Sequence, residues 1–99
     1  MGTYSVKVYG EPLLMKFANK HAHARKPLAR FLEIVRGAEW MHMPDVKSTF
    51  ASADFDPDAK LYIFDIGGNK YRLTASVNFE KQSLLIEAVM THEEYDRKE

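Results

Sequence analysis

The 99-residue chain reads as an α+β sandwich, with an N-terminal strand and two helices packed on one face of an antiparallel sheet. Three observations predict this. Apolar residues recur at three-to-four spacing over residues 11–38 and at alternate positions over residues 61–90, the periods of an amphipathic helix and a half-buried strand. Between two of the alternating runs, Gly67-Gly68-Asn69 supplies residues that tolerate the positive φ a tight hairpin needs. The order strand, two helices, three strands gathers the helices on one side of the sheet and leaves the other side free to bind.

Residues 4–9 form the expected first strand, with Val6 and Val8 facing the core and Gly10 ending it. Glu11-Pro12 opens a helix to about residue 21, since proline is tolerated in the first turn, and its apolar stripe is Leu13, Leu14, Phe17 and Ala18. A second helix is expected over residues 24–38, burying Leu28, Phe31, Leu32 and Val35, with Pro27 near its start and Gly37 near its end. Trp40 and Met41 are expected to cover the core edge. Residues 42–60, which include Met43-Pro44-Asp45 and Asp54-Phe55-Asp56-Pro57-Asp58, read as a long connection with one helical turn after Asp45.

Residues 61–66 are a strand, and a second follows the hairpin from Lys70. In it Tyr71, Leu73, Ala75, Val77 and Phe79 point one way, and Lys70, Arg72, Thr74, Ser76 and Asn78 the other. A turn at Glu80-Lys81-Gln82 leads to the last strand, residues 83–90, where Leu84, Ile86, Ala88 and Met90 share a face. With Leu85 and Val89 opposite, that strand reads as central and covered on both sides. No repeat is visible, and the length suits one domain over residues 1–99.

The chain has no cysteine, which removes disulfides, thiolate metal sites and a cysteine nucleophile, and fits the reducing cytosol. No stretch approaches the roughly 18 apolar residues of a membrane span, and the N-terminus lacks a secretory pattern. The expected location is the cytoplasm, with no membrane partner. Formal net charge is +0, yet residues 1–50 carry eight Lys and Arg against four acids, and residues 51–99 six against ten. The excess gathers in Lys16, Lys20, Arg25, Lys26, Arg30 and Arg36, opposed in that stretch only by Glu33. Such a stripe can hold phosphate or an acidic partner, or simply face solvent.

Three stretches carry a resemblance: Leu61-Tyr-Ile-Phe-Asp-Ile-Gly-Gly-Asn69, then Lys70-Tyr71-Arg72-Leu73, then Met90-Thr91-His92-Glu93-Glu94-Tyr95-Asp96. Phe17, His21, Ala24-Arg25, Trp40 and Asp45-Val46-Lys47 extend it over nearly the whole chain. Together they resemble the HigB family. The resemblance implies a RelE-like fold and the toxin half of a type II toxin–antitoxin pair. It also implies messenger-RNA cleavage, coupled in several members to the ribosome, and a helix-turn-helix, HigA-like antitoxin as partner.

Cutting RNA without a metal or other cofactor needs a base for the ribose 2′-hydroxyl, a positive group at the phosphate and an acid for the leaving oxygen. Arg72 is the first candidate, because a guanidinium on a rigid polar strand face binds phosphate bidentately. His92 suits the acid or the base, since imidazole both gives and takes protons at cellular pH. Tyr95 can orient, protonate or stack on a base. Lys70 and Lys47 are candidates to steady a phosphate, and Asp96 to orient His92 or Arg72.

His92-Glu93-Glu94-Tyr95-Asp96 nearly matches the zinc-protease motif, but that motif needs a buried helix and a third ligand downstream, so no metal is expected. His21-x-His23 is read as surface, and Gly67-Gly68 precedes a strand rather than a helix, so it is no phosphate loop. Two rivals to the enzyme stand beside it. One is a non-catalytic RNA- or protein-binding module; the other is a degenerate toxin that keeps only antitoxin binding. Zero net charge favours them, because nucleic-acid affinity leans on positive charge.

Overall fold

The hairpin at residues 67–70 sets the register of the sheet. In the computed structural model, which describes residues 6–97, Gly67, Gly68 and Asn69 take φ of 65°, 64° and 99°. That turn brings β3 (Leu61–Ile66) antiparallel to β4 (Tyr71–Asn78), with Ile66 opposite Tyr71 and Asp65 opposite Arg72. β5 (Ser83–Thr91) pairs antiparallel with the far edge of β4. The first strand, β1 (Lys7–Tyr9), joins the sheet as an edge rather than lying on its face, and runs parallel to β5. Residues 4 and 5 of the expected strand lie outside the described residues. The fifth strand, β2 (Asp54–Asp56), falls inside the expected long connection and pairs with β3, so the order is β1-β5-β4-β3-β2.

The helices lie on one side, as expected of an α+β sandwich and consistent with a RelE-like fold. α1 (Glu11–Lys20) and α2 (Arg25–Arg36) are joined by a single 3₁₀ turn at Ala22–Ala24. Leu14 and Ala18 of α1 and Leu28, Phe31 and Val35 of α2 are buried, as are Phe64, Leu73, Ala75, Leu84 and Ile86 of the sheet. The entry from β1 to α1 admits only glycine: Gly10 has φ of +93°, and a Cβ there would stand 2.9 Å from the Ile86 carbonyl oxygen. α3 (Met43–Thr49) is longer than the single expected turn, and Asp45 starts it by accepting from the Met41 N–H at 2.7 Å. Phe50 after it meets Phe31 and Phe64, each at 5.2 Å between ring centroids. Trp40 is buried as expected, but Met41 is 69% exposed and covers nothing.

The last strand departs from simple alternation. Thr74 faces Ala88 and Ala75 faces Ile86, which leaves Glu87 without a partner in a β-bulge. Directly opposed residues share a face, so Leu84 and Ile86 point to the helices while Ala88 and Met90 sit beside Thr74 and Arg72 on the other side. The four therefore do not share a face. Nor is the strand covered on both sides, because Leu85, beside Ser76 on the open face, is 45% exposed. A short helix, α4 (His92–Arg97), follows at once. No helix among the described residues is long and apolar enough to cross a membrane.

Candidate active site

Strand alternation puts Arg72 on the face away from α1 and α2, and the hairpin register supplies its neighbour. Nη1 of Arg72 is 3.2 Å from Oδ1 of Asp65, the residue directly across β3. The same nitrogen donates to the Tyr71 and Asn69 carbonyl oxygens at 3.4 and 3.5 Å. Among the described residues Nη2 and Nε make no hydrogen bond, so one edge of the guanidinium fork is anchored and the other is free. The side chain is 12% exposed. The ring of Tyr95 lies 5.6 Å from the guanidinium carbon, within cation–π range, and brings α4 back over the sheet.

α4 holds its place through its first turn. The Thr91 hydroxyl accepts from the Glu94 N–H at 3.1 Å, and the Glu94 carboxylate accepts from the Thr91 N–H at 2.9 Å, a reciprocal capping box. The Thr91 N–H holds the Glu94 carboxyl below its ordinary range, helped by the Thr91 hydroxyl and by the charges of His21 and Arg97, with desolvation opposing. His21 itself stacks on Phe17, with ring centroids 4.4 Å apart. The His92 N–H donates to the Lys70 carbonyl at 2.9 Å, fastening the start of α4 to the hairpin. One turn on, Asp96 Oδ2 stands 3.1 Å from His92 Nε2, while Nδ1 is turned inward and has no hydrogen-bond partner among the described residues. Asp96 therefore serves His92, not Arg72.

The structure thus gathers Arg72, Tyr95, His92 and the Lys70 backbone at one end of the β3–β4–β5 sheet. Lys47 is not part of this group. On α3, at the β2 edge, its amine donates to the Ala53 carbonyl at 2.8 Å and lies 3.9 Å from Asp54. Among the described residues, no three His, Cys, Asp or Glu side chains group as metal ligands. Sequence reasoning missed Asp65, Glu94 and the turning of Met90 onto the Arg72 face. Asp65 could be found by counting back through the hairpin. Thr91-x-x-Glu94 is a capping-box spacing, but the bulge that turns Met90 has no such signature.

The family model described as HigB toxin, RelE-like toxic component of a toxin–antitoxin system, matches residues 24–98. Over 52 residues the chain is 48% identical to the mRNA interferase toxin HigB of Escherichia coli (strain K12), covering 52% of this chain and 50% of that one. The mRNA interferase HigB of Shigella flexneri matches to the same extent. A further mRNA interferase HigB, from Escherichia coli O6:H1, is 25% identical over 81 residues, covering 81% of this chain and 79% of that one. The chain spans about half the length of the relatives it matches at 48% identity.

Proposed function

Because this chain belongs to the HigB family of RelE-like toxic components, we propose that it is an endoribonuclease. It cuts messenger RNA without a metal, in the cytoplasm and at the translating ribosome, and a HigA-like helix-turn-helix antitoxin silences it. The observation that carries this reading is the half-free guanidinium of Arg72 beside the ring of Tyr95, with His92 on the same short helix as Tyr95. In the reaction the ribose O2′ attacks the adjacent phosphorus, the O2′–P bond forms and the P–O5′ bond breaks. The products are a 2′,3′-cyclic phosphate and a 5′-hydroxyl. The free Nη2–Nε edge of Arg72 binds the phosphate oxygens, and its charge stabilises the dianion that develops there.

His92 takes the O2′ proton through an unprotonated Nε2, with the ring's own proton carried on the inward-facing Nδ1. Asp96, which occupies Nε2 in the free protein, is 61% exposed and yields that nitrogen at little cost. Tyr95 gives its phenolic proton to O5′, and its ring keeps the guanidinium in place. Lys70 adds positive charge at the hairpin; Lys47 steadies a more distant phosphate only after leaving Ala53 and Asp54.

Induction of the intact chain, followed by mapping of transcript ends, tests the reading. New 5′-hydroxyl ends that disappear with Arg72→Ala support it. The rival, a non-catalytic module, rests on the net charge of +0 and on Asp65 neutralising Arg72. It requires that induction leave transcripts uncut.

A further inference from the structure

Where α2 passes the β3–β4 hairpin, the surface opens into a cleft of about 430 Å³, floored by Phe31, Ile34 and Phe50 and rimmed by Lys26, Arg30 and Asp65. We propose that this cleft holds one nucleotide of the RNA chain beside the phosphate bound at Arg72, with the base on the apolar floor and its phosphate between Lys26 and Arg30. The proposal rests on the RNA-cleaving reading and deepens it by naming a second subsite.

Charge is the first argument. Lys26 and Arg30 stand one helical turn apart, so they share a face of α2, and neither makes an ion pair among the described residues. The acid on the rim, Asp65, is already taken by Arg72 at 3.2 Å. Two cations are thus left facing an apolar floor in a chain whose net charge is +0. Cationic rims over aromatic floors suit single-stranded nucleic acid, whose phosphates need positive charge and whose unstacked bases need a flat apolar surface. Size agrees, since ligand sites run from roughly 300 to 1,000 Å³.

Continuity is the second argument. Asp65 lines the cleft and also pairs with Arg72, at a point where β3 is an open edge because β2 pairs only with Leu61–Ile63, so a strand leaving the cleft on the α2 side rounds that edge at Asp65 to reach the face of Arg72. The mouth is unobstructed at the hairpin tip: a Cβ at Gly68 would meet nothing within 4 Å.

The test uses the purified chain and a short, fluorescein-labelled 2′-O-methyl RNA, which binds but lacks the attacking hydroxyl. Binding is read by fluorescence anisotropy over a range of salt. Lys26→Gln with Arg30→Gln is expected to raise Kd about tenfold and to flatten the log–log salt slope by about one. Replacing one internal nucleotide by an abasic unit should weaken wild-type binding and leave the double variant unaffected. Circular dichroism checks that the variant is folded, and the charge reversals Lys26→Glu and Arg30→Glu, tested singly, give a second measure. Unchanged Kd and slope in the variants overturn the proposal, as does a loss confined to antitoxin capture. If the double variant binds and cuts unmodified RNA like wild type, only this subsite falls; if wild type neither binds nor cuts, the RNA-cleaving reading falls with it.

Discussion

Arg72 combines anchorage and availability in one side chain. Nη1 is held by Asp65 and two carbonyl oxygens, which fixes the plane of the fork while the other edge stays open. Arg72→Ala should therefore lower the rate of RNA cleavage by about 10²–10³ and cost about 1–3 kcal/mol in a thermal melt, because the largely buried side chain takes its packing with it and leaves Asp65 without its partner. Arg72→Lys should recover little of the rate, since an ammonium cannot hold Asp65 and present a second edge at once. A rate within a few-fold of wild type in either variant would remove Arg72 from the chemistry. Tyr95→Phe separates two jobs. The ring stays over the guanidinium but the phenolic proton is gone, so cleavage should fall roughly 10²-fold with no change in melting; equal rates would leave Tyr95 as a support only. The face of Arg72 was legible from the alternation of Tyr71, Leu73 and Ala75. Its partner Asp65 lies on another strand and was reachable only by counting back through the hairpin, whose register brings the two opposite.

At the scale of elements, the six residues of α4 are too few to be stable alone. The helix depends on the box between Thr91 and Glu94 and on the His92 N–H bond to the Lys70 carbonyl. Thr91→Ala should loosen the helix by about 1 kcal/mol, seen as faster amide exchange over residues 92–97. It should also slow cleavage, because His92 and Tyr95 ride on that helix. Glu94→Gln keeps the reciprocal bond and should spare both. The pH dependence has a definite sign. The folded-state carboxyl of Glu94 is held low, so its contribution is complete above the ordinary glutamate range and is lost as pH falls through the lowered value. The protection of the α4 amides, taken against the intrinsic exchange rate at each pH, should fall on acidification in wild type and much less in Glu94→Gln; an equal fall in both would locate the acid sensitivity elsewhere. The box was present in the sequence as a spacing. The bulge in β5 was not, since Leu84, Ile86, Ala88 and Met90 alternate without a break, and Glu87, a charge within an apolar run, is its only trace.

At the scale of the whole molecule, two pairings escaped the sequence because they join distant segments: β1 with β5, and β2 with β3. Local periodicity carries no information on which edge a three-residue strand will choose. The contacts that close the β1 end of the sheet converge instead on one polar residue, Gln82, read from sequence only as part of a turn. It adopts a φ of 49°, and its backbone carbonyl accepts from the Lys7 N–H at 2.9 Å. Its side-chain oxygen accepts from the Trp40 N–H at 3.2 Å, and its side-chain nitrogen donates to the Phe79 carbonyl at 2.8 Å and to the Trp40 carbonyl. β1, the Trp40 segment and the β4–β5 turn are thereby held by a single residue, the first through its backbone and the other two through its side-chain amide. Gln82→Ala strips partners from both backbone groups of Trp40, a residue only 1% exposed, and should cost about 1–3 kcal/mol. Each kcal/mol lowers Tm by roughly 4–8 °C in a domain of this size. Cleavage at 25 °C should nonetheless match wild type, because the Asn78–Ser83 pair beside Gln82 and the Arg72–Met90 pair sit at opposite ends of the β4–β5 ladder, about 20 Å apart at the rise of a strand. A melt unchanged by the substitution would mean that water replaces the amide. Slower cleavage in a folded variant would mean that the two ends of the sheet are coupled.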